Sequence, residues 1–135
     1  MHEWALAESV VRAAVDFSRK QNLKKIHSIN LVFGELQSID KEIFKWATGE
    51  ILPSCGDIVK GAKIRIIDEE CVFKCNACGN EFSLDETRRG EEESEYMHFI
   101  PEMAHTYVKC TRCKSPDFKI LKGRGVYIKS IKGEK

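Results

Sequence analysis

Two stretches of sequence decide the fold of this chain, FKCNACG at residues 73–79 and VKCTRCK at residues 108–114. In each, two residues separate a pair of cysteines, which makes a tight turn and aims both sulfurs at one point. Two such turns supply four sulfurs, the ligand set of a tetrahedral structural zinc site. Gly79 follows the first pair, where such turns often need a positive φ. The spacing therefore predicts one zinc ion bound by Cys75, Cys78, Cys110 and Cys113.

Paired cysteines also occur in disulfides, in redox-active dithiols and in rubredoxin-type iron sites. The first residues contain no signal-peptide pattern, so we expect a cytoplasmic protein in a reducing compartment, where disulfides are disfavoured. A thioredoxin-like pair lies at a strand-to-helix junction, and no helical pattern follows either pair. The second turn lacks the glycine, which disfavours the iron site without removing it as an alternative. Cys55 and Cys71 have no partner at ligand spacing, and we interpret them as small apolar residues.

The composition is that of a small globular protein. The chain has 135 residues, is 42% hydrophobic and carries a formal net charge of +1. This length suffices for one modest domain or two small ones. The near-neutral charge argues against a dedicated nucleic-acid binder, which usually carries a basic face. No apolar run reaches the length of a membrane span, and no phosphate-binding glycine loop or other catalytic motif occurs, so we expect a protein that is not an enzyme.

Helical periodicity marks residues 3–21 and 39–52. Ser38 or Asp40 suits the N-cap of the second helix, and Pro53 ends it. We expect the buried stripes of the two helices to contain Leu6, Val10, Ala14 and Phe17, and Ile43, Trp46, Ala47 and Ile51; we also place Trp4 in the core.

Alternating apolar residues predict strands over 25–36 and 62–69, and strand character returns after Pro116, where Gly123 and Gly125 permit a bend. The region between holds both cysteine pairs and little other core, a deficit that metal compensates. The predicted fold is α+β, with two helices packed on a three-stranded sheet and an inserted four-cysteine, zinc-ribbon-like domain. The expected domains are 1–70 with 118–135, and 71–117.

The chain begins MHEW at residues 1–4. The α-amine of Met1, the backbone nitrogen of His2 and its imidazole can close fused chelate rings on one ion. Such a nitrogen set favours square-planar Ni(II) or Cu(II). Taken alone, a histidine near a terminus is more often a solvated side chain, and that alternative stays open on this fragment.

Together these motifs resemble the HypA family of nickel metallochaperones. The resemblance is carried in order by MHEWAL at 1–6, VFGEL at 32–36, the two cysteine pairs and GRG at 123–125. It implies a nickel-binding domain with an inserted zinc domain, and Ni(II) as a cargo delivered for maturation of [NiFe]-hydrogenase or, in some bacteria, urease. His2 would be the main nickel side-chain ligand, with Met1 and Glu3 beside it.

The resemblance also implies partners, namely the GTPase HypB and the [NiFe]-hydrogenase large subunit. A homodimer is one of the assemblies that the sequence allows. The stretch YMHFIPE at 96–102 is similar to the archaeal branch of the family, in which a histidine of the zinc domain completes the nickel site. His98 matches that position; its alternative is an ordinary loop histidine. We interpret His27 and His105 as structural.

A zinc-ribbon protein that binds nucleic acid or a transcription complex is the competing hypothesis from another class. It explains the four cysteines equally well. It leaves the start at Met1 and His2 without a role, which is why the nickel carrier is preferred.

Overall fold

The computed structural model describes residues 3–37, 39–87 and 108–135. Met1, His2, Ser38 and residues 88–107 lie outside the described part, and with them three histidines of the sequence analysis, His2, His98 and His105. The helices and strands, in chain order, are α1 (Glu3–Lys20), β1 (Lys25–Gly34), α2 (Lys41–Ile51), β2 (Lys63–Glu69), β3 (Val72–Cys75), β4 (Glu81–Ser83), β5 (Phe118–Lys122) and β6 (Val126–Glu134).

Contacts divide the described residues into two compact units. The first comprises residues 3–32, 39–67 and 127–135 and is called the helix–sheet unit. The second comprises residues 33–37, 68–87 and 108–126 and is called the cysteine unit. No described helix is long and apolar enough to cross a membrane.

The helix α1 buries one narrow face made of small residues. Ala7, Val10, Val11 and Ala14 are all buried, as helical spacing predicts. Phe17 instead leaves 53% of its surface exposed, so its expected place in the core is wrong. The small buried side chains let a neighbouring element approach closely, and α2 packs against α1.

The helix α2 is capped by Asp40, whose side chain accepts a hydrogen bond from the Ile43 N–H at 3.1 Å. Its buried face is rotated from the predicted one. Phe44, Ala47, Thr48 and Ile51 are buried, whereas Ile43 and Trp46 are exposed. The segment carries more apolar residues than one face can bury, and Phe44 takes the inward position.

The two tryptophans are surface residues, contrary to prediction. Trp4 is 44% exposed and Trp46 is 61% exposed. Their rings contact each other with centroids 5.6 Å apart. The pair therefore shields part of its own apolar surface without entering the core.

The three-stranded sheet of the helix–sheet unit has the order β2-β1-β6. Its middle strand β1 is almost wholly buried from Ile26 onwards, apart from His27. The last strand returns to pair beside it, as predicted, and the Lys24 N–H donates to the Glu134 carbonyl at 2.8 Å. The predicted fold class, α+β with two helices on a three-stranded sheet and a smaller four-cysteine part, is confirmed.

A second sheet, with the order β4-β3-β5, builds the cysteine unit. Phe73 of β3 lies opposite Phe82 of β4 and Ile120 of β5. The strand character predicted after Pro116 is thus divided between two sheets, because the chain turns at Gly123, where φ is 83°.

The expectation that the cysteine region has little other core is wrong. Phe73, Phe82 and Phe118 are buried with ring centroids 4.9–5.8 Å apart. Around them lie the buried side chains of Leu36, Cys71, Leu84 and Val108. Aromatic rings bury a large area per residue, so a short segment can form a core with few of them.

Candidate metal centre

The first cysteine turn follows directly from β3. The Cys75 N–H donates to the Asn80 carbonyl at 2.8 Å, and the Gly79 N–H donates back to the Cys75 carbonyl at 3.0 Å. Gly79 has the positive φ, 78°, that its position predicts. These bonds fold the chain sharply enough to bring Cys78 beside Cys75.

The second cysteine turn repeats this hydrogen-bond pattern. The Cys110 N–H donates to the Ser115 carbonyl at 2.9 Å, and the Lys114 N–H donates to the Cys110 carbonyl at 3.0 Å. Lys114 stands where the first turn has glycine and adopts a φ of 66°. The geometry of the turn is therefore preserved without the glycine, at the cost of a left-handed conformation on a residue with a Cβ.

The structure brings all four cysteine sulfurs together. The Cys75 and Cys113 sulfurs are 3.5 Å apart, and those of Cys78 and Cys110 are 3.6 Å apart. All four lie within 4.8 Å of one another. Four thiolates around zinc at about 2.3 Å stand about 3.8 Å from each other, so the donor set and its spacing fit a tetrahedral zinc ion.

Backbone N–H groups point at the buried sulfur of Cys110. Burial disfavours the thiolate, but the N–H groups of Cys113 and Arg112, each 3.4 Å away, together lower the pKa of Cys110 to about 6. The amide of Asn80 adds a weaker donor at 3.6 Å. These donors therefore stabilise the thiolate form of Cys110.

The other thiols respond to one another. The Cys78 N–H lowers the pKa of Cys75, against the effect of burial. At Cys113 the Ser115 N–H favours the thiolate, but the adjacent Cys75 sulfur and burial raise the pKa to about 12. Four sulfurs this close cannot all be negative without a cation between them, and a divalent ion that prefers sulfur would supply that charge.

Polar contacts fasten one turn to the other. The Asn80 amide donates to the Thr111 hydroxyl at 3.1 Å, and the Asn76 amide donates to the Asp117 carboxylate at 3.0 Å. The Asn76 N–H also donates to the Asp117 carbonyl at 2.9 Å. Protein contacts therefore help to set the relative position of the two cysteine pairs.

A close approach of three backbone segments supports the cysteine unit, and sequence reasoning missed its polar contacts. The Gly34 and Leu36 N–H groups donate to the carbonyls of Gly125 and Gly123 at 2.8 and 3.0 Å. A Cβ on Gly34 would lie 2.5 Å from Gly123. The segments VFGEL and GRG thus meet in space.

Two carboxylates stabilise this approach. Glu35 accepts a hydrogen bond from the Cys71 N–H at 3.2 Å, and Glu69 accepts one from the Gly123 N–H at 2.8 Å. The sequence alone assigns Glu35 no role of its own. The sequence signal that could have found it is its place directly after Gly34, where a strand ends against backbone.

The proposed nickel ligands are placed only in part. Met1, His2 and His98 lie outside the described residues. Glu3 is the first residue of α1 and is 6% exposed. The assignment of these residues to a nickel site stays a prediction.

The two remaining cysteines, Cys55 and Cys71, and the described histidine, His27, are not part of the four-sulfur cluster. Cys71 is fully buried in the core of the cysteine unit, in agreement with its interpretation as an apolar residue. Cys55 is half-buried, with its sulfur 3.4 Å from the Ile51 carbonyl. His27 lies on the surface, where Nε2 is 3.4 Å from the Glu134 carboxylate.

The chain is similar to known proteins over its full length. The family described as "Hydrogenase/urease nickel incorporation, metallochaperone, hypA" matches residues 1–133. The "Hydrogenase maturation factor HypA" of Thermococcus onnurineus is 47% identical over 137 aligned positions, which cover 100% of this chain and 97% of that protein. Its counterpart in Pyrococcus abyssi is also 47% identical with the same coverage, and that of Chlorobaculum tepidum is 32% identical over 97% of each chain.

Solved structures show the same fold at lower identity. The solution structure of the Ni metallochaperone HypA from Helicobacter pylori superposes with a TM-score of 0.66 and 21% identity, covering 99% of this chain and 98% of that one. At this identity the likeness speaks for the fold alone. The family match and the relatives carry the assignment, and the chain belongs to the HypA family.

Proposed function

We propose that this protein is a nickel carrier, without catalytic activity of its own, that serves hydrogenase maturation. The observation that carries the proposal is the match to the nickel-incorporation family over residues 1–133, joined to four convergent cysteine sulfurs. In this proposal Ni(II) is cargo and zinc is a permanent structural ion.

The zinc ion is assigned to Cys75, Cys78, Cys110 and Cys113. Their spacing, the hydrogen bonds to Cys110 and the polar contacts between the two turns all support this assignment. Zinc bound there would neutralise the clustered thiolates and join the two cysteine turns. The domain boundaries 1–70 with 118–135, and 71–117, belong to this proposal as well.

The nickel site is assigned to the amine of Met1, the backbone and imidazole of His2, Glu3, and the imidazole of His98. A nitrogen set of this kind suits Ni(II). Glu3 would contribute to the site from the first turn of α1, where the residue is buried. His98 comes from the segment between the cysteine pairs, so its participation would link nickel binding to the cysteine unit.

The partners in this proposal are the GTPase HypB and the [NiFe]-hydrogenase large subunit, in the cytoplasm. The sequence contains no phosphate-binding loop, so nucleotide hydrolysis is assigned to the partner. The relatives bear the name of hydrogenase maturation factors, which supports the hydrogenase as recipient. Monomer and homodimer are both compatible with this role.

Nickel titration of the zinc-loaded protein with a native, untagged N-terminus tests the proposal. We expect His2→Ala to abolish specific Ni(II) binding, because the terminal chelate loses its imidazole. His98→Ala should weaken binding less, since the chelate at the terminus remains. The matched control is His27→Ala, a surface histidine paired only with Glu134 among the interactions described for it, which should leave nickel affinity unchanged.

X-ray absorption of the nickel-loaded forms separates the two histidines by counting imidazole ligands. The wild type should show one more imidazole than His98→Ala. Undiminished affinity in His2→Ala would refute the terminal site. Equal affinity and equal imidazole counts in His98→Ala and the wild type would remove His98 from it.

A further inference from the structure

The strand β6 lies at the edge of its sheet. In the order β2-β1-β6 it pairs with β1 on one side, and no described strand occupies its other side. The Lys24 N–H donates to the Glu134 carbonyl, which places residue 134 in a hydrogen-bonded pair with residue 24. Because the direction of backbone groups alternates along an antiparallel strand, about half of the backbone groups of β6 point away from β1.

An apolar groove runs beside this open edge. It is lined by Ala13 and Phe17 of α1 and by residues 128–131 of β6, and its volume is about 320 Å³. The ring of Phe17 is 53% exposed at its rim. A cavity of this size accepts a few aliphatic side chains, and its position lets every second side chain of an added strand reach it.

The charges around the groove select the occupant. Lys129 is the charged residue of the lining, and Lys132 and Lys135 follow it in the chain. The acidic residue among them, Glu134, lies 3.4 Å from His27. Residues 126–135 carry three lysines and one glutamate, so a second copy of β6 would bring a strand of the same net charge. An extended segment with carboxylates between its apolar residues is complementary.

We propose that β6 accepts an extended acidic segment of a partner protein as a fourth strand, with alternate apolar side chains seated in the groove at Phe17. The outer edge of β6 would supply the hydrogen bonds, and the lysines would select for acidic sequence. This interaction is independent of the proposed nickel site, because none of its residues is a proposed ligand.

A fluorescent peptide that alternates valine with glutamate is the probe, and fluorescence anisotropy with the zinc-loaded full chain is the measurement. We expect saturable binding that weakens with salt. A peptide with lysine in place of glutamate, and one N-methylated at alternate backbone positions, should each bind about tenfold more weakly or not at all. Equal binding of all three would overturn the proposal.

Substitutions locate the site on the protein. Phe17→Ser and Lys129→Glu should each weaken the acidic peptide about tenfold. Trp46→Ser is the matched control, because Trp46 is an equally exposed aromatic of the same unit outside the groove, and it should bind normally. Circular dichroism and nickel titration verify that Phe17→Ser keeps its fold and its nickel affinity. A loss of peptide binding without these other changes then locates the peptide site at the groove.

Self-association of the protein through the groove would point to a different occupant, a second copy of this chain. If sedimentation shows a dimer that Phe17→Ser dissociates, a second copy fills the groove and the acidic-segment proposal is wrong. If Phe17→Ser binds the acidic peptide as well as the wild type does, the groove is not the site and the proposal is equally overturned.

Discussion

The two units of this molecule build their cores from different kinds of side chains. The helix–sheet unit buries aliphatic and aromatic side chains from α1, α2 and β1, such as Val11, Leu31 and Phe44. The cysteine unit has shorter elements and fills its centre with three phenylalanines beside a cluster of cysteine sulfurs. The difference teaches that a short segment can combine a small aromatic core with a cluster of sulfurs that fits a metal ion.

Removal of one proposed zinc ligand should produce the largest difference in stability between the two units. In Cys75→Ser we expect the cysteine unit to unfold, because structural zinc sites contribute on the order of 10 kcal/mol to folding. The helix–sheet unit should keep its helices. Elemental analysis measures zinc per chain, and hydrogen exchange measures protection unit by unit.

The matched control for that substitution is Cys55→Ser. Cys55 lies in the helix–sheet unit, is half-buried and is not one of the four clustered cysteines, so zinc should stay at one ion per chain. Normal zinc in Cys75→Ser would contradict the assignment of the site.

The aromatic cores of the two units can be compared by one substitution in each. Phe44→Ala and Phe73→Ala both remove a fully buried ring, and each should cost about 3–5 kcal/mol. Only Phe73→Ala should speed the transfer of zinc to a chromophoric chelator, because Phe73 packs in the core that contains Cys75 and Cys110. Equal rates of zinc release in the two variants would mean that the metal site is held without help from the aromatic core.

The glycine at the turn between β5 and β6 should be sensitive for steric reasons. A Cβ on Gly123 would lie 2.5 Å from the Cys71 Cα, and φ is 83°. Gly123→Ala should therefore destabilise the cysteine unit by about 2–5 kcal/mol, from the left-handed conformation together with overpacking. Gly125→Ala is the control, since open space surrounds that position, and thermal unfolding compares the two. Similar melting temperatures would show that the backbone at Gly123 shifts freely.

Patterns of short range in the sequence predicted much of this fold. Helical spacing located α1 and α2, alternation located β1 and β2, and ligand spacing chose the four cysteines that converge. Each of these signals depends on residues close together in the chain or on a known chemical preference. The Asp40 cap belongs to the same class, because its acceptor and donor are three residues apart.

Features that depend on distant parts of the chain were not predictable in this way. The burial of Phe73 against Phe118 and the division of the last strands between two sheets arise from pairing across many residues. The exposure of Trp46 follows from which apolar face of α2 meets the core, and the sequence offered two such faces. The bond from the Cys71 N–H to Glu35 likewise joins residues far apart in sequence.

The smallest expected effect lies in the second cysteine turn, where the sequence departs from the first. Lys114 holds a φ of 66°, a conformation that costs an ordinary L-residue about 1–2 kcal/mol. Glycine removes this cost but loses about 0.5–1 kcal/mol through the greater freedom of the unfolded chain. Lys114→Gly should therefore stabilise the cysteine unit slightly, by about 0.5–1 kcal/mol, and slow zinc release.

The reciprocal substitution in the first turn is Gly79→Ala. Gly79 has a φ of 78° and open space around the position of a Cβ, so only the backbone cost applies and stability should fall by a similar amount. Chemical unfolding and zinc release of both variants, measured beside the wild type, should give shifts of opposite sign. If Lys114→Gly released zinc faster than the wild type, the left-handed conformation would not be a source of strain in this turn, and the two cysteine turns would differ in more than their glycine.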